Sequence, residues 1–551
     1  MTPTAKLGSR RERLAHYLPI VAFLLSVLVS AAVTWYVTGT YIDSDSASEL
    51  VLAKHLADTR QLLSQDWMYS TELRVFQMQW VFTPLMLFLD NWHLVRFLGT
   101  MILQTVYILS FAYMARQAGF RWQTIWYGAA LLLLPVSVTY GRIVLYHVHY
   151  MIHLIMSFLI FGLVMNLYQT WNPRRLRGWL LLGALMVCSF LAGTNSVRQL
   201  MITHAPMLFS IVLLSLRQDT PDSRSATILS KPALRFLAFA LLAAACSFAA
   251  LKFNQLVLHK YFTDNPYYSE STILMDATYL RKMAYGFLHQ FGFRISAPLL
   301  SLFGILSVAS LVAFGYGLYV SAVHIRDGFT PRALVMLQLF SFSAVMAVVF
   351  LLTADYNTYF PLYLCLMWPW AVLPMMEGWG SNPKKYAPLH KNRIFVWIAA
   401  VTVISSGWLN VAWFARTPGL SQAYEGLSYQ DRDTVAHLAD VSEFLLENDY
   451  QIGYATYWNA NVVTEVTDGA VRMVGVTIYA DPDGCIKFYD FLTSLWLREA
   501  PNEKPFLLIN RYETLPEDMA PYCVQVYADD WYTVYDLTIT DPESFRMLLY
   551  G

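Results

Sequence analysis

Charge is scarce in this chain. Only 14% of its 551 residues are Asp, Glu, Lys or Arg, where soluble globular domains carry roughly a quarter, and 38 basic residues cancel 38 acidic ones. Such a balance leaves no net field to gather nucleic acid, and no basic run interleaved with aromatics marks a nucleic-acid groove. Nucleic-acid partners are set aside on that ground. Cysteine is sparse as well, with five residues and no CxxC pair. GxxxxGK[ST], HExxH and GxSxG are also missing, so ATPase, zinc-protease and serine-hydrolase readings lose their usual support.

What the chain has in quantity is apolar and aromatic surface: 56% hydrophobic and 15% aromatic residues, with a mean hydropathy of +0.41. Those values describe a membrane protein. Runs long enough to cross roughly 30 Å of hydrocarbon fall at 17–39, 93–115, 122–138, 143–168, 178–194, 198–216, 233–257, 295–322, 332–353, 356–376 and 393–414, about eleven spans. The first follows the basic flank "KLGSRRER". It is longer than a signal-peptide core, so an uncleaved span is expected despite a cleavage-like "VSAA".

Charge then sets the orientation. With the N-terminus cytoplasmic, loops carrying Arg174, Arg175 and Arg177, or Lys384, Lys385, Lys391 and Arg393, fall inside, as the positive-inside rule requires. The apolar run at 75–90 is ambiguous. Counting it as a span would put the later basic loops outside, so it is assigned as an interfacial or re-entrant helix in a long first outer loop. Parity leaves the C-terminus outside.

From about residue 417 the pattern turns polar and turn-rich. A helix is expected over "DRDTVAHLADVSEFLLEND", strands at "QIGYATY", "AVRMVGVTI" and "PFLLIN", and a hairpin around "VQVYADDWYTVYDL". The expected fold class is therefore a polytopic α-helical membrane protein with a C-terminal extracytoplasmic α/β domain. Residues 1–416 form the membrane domain, with interfacial helices in its first outer loop at 40–92, and 417–551 form the exported domain. Export favours a Cys485–Cys523 disulfide, with two free buried thiols as the equally weighted alternative.

Polar groups collect at the outer ends of the spans. Asp43 and Asp45 follow the first span in "YIDSDSASEL", and Glu72 and Arg74 lie in the same outer loop. Arg142, Tyr146, His149, Tyr150 and His153 surround the start of the fourth, Asn195 and Arg198 form the turn between the fifth and sixth, Arg294 precedes the eighth, and Asp355 and Tyr356 open the tenth. Each has a plain structural reading beside a chemical one. Asp and Ser cap orphan helix amides, yet a carboxylate held at a defined depth suits a general base acting on a membrane-bound substrate. His149 and His153 stand one helical turn apart, a spacing that suits a metal, hydrogen bonding or plain packing. Arg198 is costly between apolar spans unless it meets an anion or reaches water, and its planar fork suits phosphate oxygens.

One span, a long outer loop opening on an acidic motif, a membrane-lying helix, many further spans and an exported α/β domain: this order resembles the GT-C glycosyltransferases, bacterial members included. "STELRVFQMQWVFTPL" looks like the continuation of their first outer loop, and "ADYNTYFPLYL" stands where many relatives carry an arginine-tyrosine-proline motif, here without the arginine. The resemblance implies a membrane glycosyltransferase, hexosyl or pentosyl, that moves sugar from a polyprenyl-phosphate donor to a cell-envelope glycan, lipid or protein acceptor at the outer face. It implies an aspartate base, Asp43 first by position and Asp45 second. Arg198, Arg142 or Arg294 would take the phosphate. No metal ligand is assigned, and a divalent cation assisting at Asp43 and Asp45 stays open. The rival reading is a polysaccharide or lipid-linked-oligosaccharide transporter, whose repeated halves are not evident; the polar groups lie at one face rather than at the midplane, with Lys252 and His204 as intramembrane exceptions. A glycan-binding envelope receptor would explain the tail but not the acids, histidines and arginines.

Overall fold

A computed structural model describes residues 10–70, 73–215, 231–262, part of 281–291, 298–352, 364–377, 420–422, 429–431, 433–478, 487–498, 504–517 and 519–538. Among these, eight helices are long and apolar enough to cross a membrane: Tyr17–Thr40, Trp92–Gln117, Met151–Thr170, Leu176–Gly193, Val197–Ser215, Pro232–Lys260, Gly304–Val323 and Pro331–Val349. The chain is a multi-pass α-helical membrane protein with a β-containing C-terminal region.

Eight of the eleven expected spans are thus observed. The run at 122–138 is helical only over Trp122–Leu132, because Pro135 has no N–H for the carbonyl of Leu131 and restricts the residue before it. Of the run at 356–376, the described part is a shorter apolar helix, Cys365–Met376. The run at 393–414 lies outside the described residues. The ambiguous run at 75–90 contains an eight-residue helix, Gln79–Met86, about 12 Å long and too short to cross.

We label Arg10–Thr40 α1, Ser44–Thr59 α2, Gln79–Met86 α3 and Trp92–Gln117 α4. The residues divide into two compact units. One gathers Met1–Thr34, Leu103–Leu251 and Ser269–Arg416; the other gathers Trp35–Ile102, Lys252–Tyr268 and Thr417–Gly551.

In the first unit polar side chains join the apolar helices, as expected where lipid offers no partners. Gln104 accepts from Ser30 (2.9 Å) and donates to Thr34 Oγ1 (3.2 Å) and the Leu145 carbonyl (2.9 Å). His204 Nε2 lies 2.8 Å from Ser247 Oγ, which donates to the Ser189 carbonyl at 2.7 Å. Close approach there depends on Gly193, where a Cβ would stand 2.1 Å from the Ser247 carbonyl oxygen.

The second unit holds a six-stranded sheet in the order Lys487–Phe488, Arg472–Thr477, Ile452–Thr456, Phe506–Asn510, Tyr532–Leu537, Cys523–Ala528. Its three central pairings begin with a βαβ crossover, in which strand Ile452–Thr456 runs into helix Tyr457–Val466 and returns as the parallel strand Arg472–Thr477. Alternation sends Phe506 and Leu508 to one face and Leu507 and Ile509 to the other. The first face buries Leu438 and Val441 of helix Thr434–Glu447, Val463 of the crossover helix, and Ile42 and Ala47 at the start of α2. The core of the tail sheet therefore includes the residues on either side of Asp43.

Candidate active site

The acids of the first outer loop sit where α1 ends and α2 begins. Asp43 has extended backbone (φ −109°, ψ 162°) and is the N-cap of α2. Its Oδ1 accepts from the Ser46 N–H at 2.9 Å, while its own N–H donates to Ser46 Oγ at 3.2 Å. This reciprocal pair satisfies two orphan donors, and a carboxylate there is favoured by the helix dipole. The capping reading of "DSDSAS" is therefore correct, and the cap also holds the carboxylate in one place.

The segment is anchored on both sides of the acid. Ile42 N–H donates to Thr434 Oγ1 at 2.8 Å, and Thr434 Oγ1 donates to the Ile42 carbonyl at 3.0 Å. Ser44 Oγ donates to the Tyr457 carbonyl, and the Tyr457 hydroxyl donates to Asp45 Oδ1 at 2.5 Å. Burial first, and the Asp45 carboxylate second, push the Tyr457 phenol well above its ordinary pKa, so it stays a donor.

One turn after Asp45, Glu49 is only 8% exposed. Burial pushes its carboxyl up to about 7; Arg74 and Arg96 oppose the rise and Asp45 adds to it. Arg96 closes the set. Its Nε and Nη2 bind the two oxygens of Glu465, each at 2.5 Å, and Nη2 donates to the Ser46 carbonyl at 2.9 Å. Both side chains are 2% exposed. Arg74 is half-buried, and its Nε has no hydrogen-bond partner among the described residues.

In the first unit a second group forms around Arg198. Ser196 Oγ accepts from the Arg198 N–H at 2.9 Å, the guanidinium donates to the Tyr150 hydroxyl at 3.4 Å and stands 5.8 Å from the centre of that ring. His153 Nδ1–H donates to Gln199 Oε1 at 2.9 Å, and Gln199 Nε2 donates to Thr203 Oγ1 at 2.7 Å. Asn195 and Tyr146 are buried, whereas Arg142 and His149 are half-buried.

The expected helical pairing of His149 with His153 is not observed. Val148 takes a left-handed φ of 54°, which separates the π-helical turn Gly141–Tyr146 from helix Met151–Thr170. His149 lies in the break, and the span expected from 143 starts at Met151. Glu72, Arg294, Asp355, Tyr356 and Cys485 lie outside the described residues.

Sequence reasoning passed over Arg96, Tyr457 and Glu465 as site residues. Arg96 offered a signal, being the lone cation in the apolar opening "WHLVRFLGT" of α4. Glu465 offered the matching one, a lone acid among the valines of "NVVTEV".

No family model matches the chain, and no curated protein is similar to it in sequence. Solved structures are similar in fold. ArnT from Cupriavidus metallidurans bound to undecaprenyl phosphate matches with TM-score 0.50 and 11% identity, over 95% of this chain and 98% of that one. ArnT in the apo state matches with TM-score 0.50 and 11% identity, over 95% and 99%. The Archaeoglobus fulgidus oligosaccharyltransferase AglB, in complex with an inhibitory peptide and a dolichol-phosphate, gives TM-score 0.47 and 10% identity over 90% and 70%. In its complex with Zn and sulfate, the A. fulgidus oligosaccharyltransferase is covered over 62% of its length. With its apolar helices, acidic first loop and C-terminal sheet, and with a likeness to ArnT along nearly the whole of both chains, this protein has the GT-C fold.

Proposed function

We propose that the protein is a membrane glycosyltransferase that moves a sugar from a polyprenyl-phosphate donor to a cell-envelope acceptor at the outer face, with Asp43 as general base. The observation that carries this reading is the position of Asp43: a carboxylate capped onto α2 three residues after a membrane-crossing helix ends at Thr40. Undecaprenyl phosphate and dolichol-phosphate, bound by the similar solved proteins, supply the donor class by analogy.

The geometry suits the step. An acceptor hydroxyl must lose its proton as it attacks the anomeric carbon, and a fixed carboxylate can take that proton. The departing lipid phosphate is already an anion and needs no acid, only preorganised positive charge. Arg198, its guanidinium beside Tyr150, would supply that charge, with Arg142 and Arg294 as further candidates. Arg74 and Glu72 would serve the outer-loop side of the substrate, while Tyr146, His149, Tyr150, His153, Asn195, Asp355 and Tyr356 would shape its sugar and phosphate contacts. Asp45 is the second choice as base because its carboxylate already receives the Tyr457 phenol. On this reading the N-terminus is cytoplasmic, residues 1–416 form the membrane domain and 417–551 lie outside.

The test is transfer by the purified protein with a panel of radiolabelled undecaprenyl- and decaprenyl-phosphate sugars, alongside Asp43→Asn. Wild-type release of polyprenyl phosphate that disappears in the variant is the expected result. Movement of a labelled lipid between leaflets without any turnover would replace this reading with a transporter.

A further inference from the structure

The second unit contains a half-open cavity of about 420 Å³ that does not include Asp43 in its lining. Its walls come from the end of α1, the start of α4 and the tail, and include Trp35, Tyr36, Gly39, His93, Glu465 and Asp468. That volume lies within the range of small-ligand pockets. We propose that it is a binding site for an uncharged pyranose sugar, separate from the candidate base.

Three features point to that ligand class. Trp35 is 47% exposed, although His93 meets its ring at a centroid distance of 4.2 Å and Phe97 meets it edge-on at 5.1 Å. His93 Nε2–H donates to the Trp35 carbonyl at 3.1 Å, and Gly39 leaves the room this needs, since a Cβ there would stand 3.1 Å from that nitrogen. A flat, braced, open aromatic surface suits the C–H face of a sugar ring, which gains dispersion contact without a charge.

The second feature is an unmet hydrogen bond. Tyr36 lines this cavity, and its Oη is buried with no hydrogen-bond partner among the described residues. Asp433 lies within electrostatic reach of that phenol, and its carboxylate caps Ala436 N–H at 2.9 Å. A buried polar atom left in this state is costly. A ligand hydroxyl, both donor and acceptor, would satisfy the phenol if that side chain turned toward the cavity.

The third feature is the charge of the walls. No Lys or Arg is among the described residues lining the cavity, and its two acids are already engaged, Glu465 by Arg96 and Asp468 by the Trp92 N–H at 2.7 Å. A phosphate or carboxylate ligand would meet acids and no cation, which disfavours an anionic lipid headgroup. A neutral polyol meets acceptors for its hydroxyls. The site rests on the proposed transfer reaction only in the expectation that glycans are present at this face.

Saturation-transfer NMR tests the site on the full chain in phosphatidylcholine nanodiscs, because maltoside detergents would themselves present the ligand. The probes are the methyl glycosides of glucose, galactose and mannose. Transfer to the ring C–H protons of at least one glycoside is expected. Trp35→Ala should weaken it about tenfold, the size of a lost aromatic contact, while Trp35→Phe keeps most of it and so separates loss of the surface from loss of the fold. Asp43→Asn should bind like wild type even where it transfers no sugar, so failure of the transferase reading and failure of this one are distinguishable. Competition by a galactosyl lipid added to the nanodisc assigns the sugar to a lipid headgroup, and its absence assigns it to a soluble or envelope glycan. No transfer to any glycoside, or equal transfer in wild type and Trp35→Ala, overturns the proposal.

Discussion

Arg96 grips both carboxylate oxygens of Glu465, 369 residues away in sequence, and with the same guanidinium holds the Ser46 carbonyl of α2. Two charges at 2% exposure survive burial only if each is neutralised and its donors are used. The planar fork does both, and its third bond reaches the residue whose N–H is capped by Asp43. The pair thereby ties the crossover helix of the tail to the turn that holds the candidate base.

Removing one partner should cost far more than removing both. Arg96→Met leaves a buried carboxylate and should destabilise the protein by about 3–5 kcal/mol, while Arg96→Met with Glu465→Leu should recover much of that loss. Thermal unfolding followed for each variant in the same detergent checks the order. Equal melting temperatures for the single and double variants would show that the pair is not coupled.

Glu49 makes the unit sensitive to pH. Its folded carboxyl is raised from 4.5 to about 7, chiefly by burial, so the native state binds more protons than the unfolded chain between those values. Stability should therefore be greatest below about 4.5 and fall as pH rises towards about 7, by an amount on the order of 3 kcal/mol. Glu49→Gln, which is neutral throughout, should remove this part of the slope. Melting curves below about pH 4 should nearly coincide for the two proteins, and at pH 8 the glutamine variant should melt higher. Parallel pH dependence would place Glu49 in a more polar setting than its burial indicates.

Much of the tail was legible because alternation survives where a sheet has two covered faces. Strands at Ile452–Thr456, Arg472–Thr477 and Phe506–Asn510, and the hairpin of Cys523–Ala528 with Tyr532–Leu537, lie where the pattern put them. The helix Tyr457–Val466 was not legible, since "NVVTEV" is rich in β-branched residues and only burial against the sheet decides its state. The break at Val148 was hidden for a related reason: a β-branched residue at positive φ contradicts local preference and needs tertiary support. At the site, the cap of Asp43 could be read from its neighbours. The grip of Arg96 on Glu465 could not, because nothing local links residues so far apart.

Tyr457 offers a test of how the two aspartates divide their work. Its phenol donates to Asp45 at 2.5 Å and its carbonyl receives Ser44. Tyr457→Phe keeps the ring and the carbonyl and removes only the donor. A hydrogen bond to a charged group contributes about 1.5–3 kcal/mol, so turnover should fall about tenfold or more if Asp45 must be held for Asp43 to act. The donor KM should change little, because the phenol is committed to the acid. A raised KM at constant kcat would instead make Tyr457 part of the donor site.

Arg198 should report on the lipid phosphate. The Arg198 N–H donates to Ser196 Oγ at the helix start, and the guanidinium stands near the Tyr150 ring and hydroxyl, within the distance at which a cation is attracted to an aromatic face. If it meets the donor phosphate, Arg198→Ala should raise the KM for the polyprenyl-phosphate sugar by about tenfold to a hundredfold, the loss expected for a charge-assisted contact. Arg198→Lys should recover only part of it, since an ammonium keeps the charge but not the fork. Tyr150→Phe retains the ring and gives up one long hydrogen bond of 3.4 Å, so it should change KM by less than about threefold. An Arg198→Ala protein with an unchanged KM, correctly folded by its melting curve, would move the phosphate contact to Arg142 or Arg294 and leave Arg198 a structural residue at the start of its span.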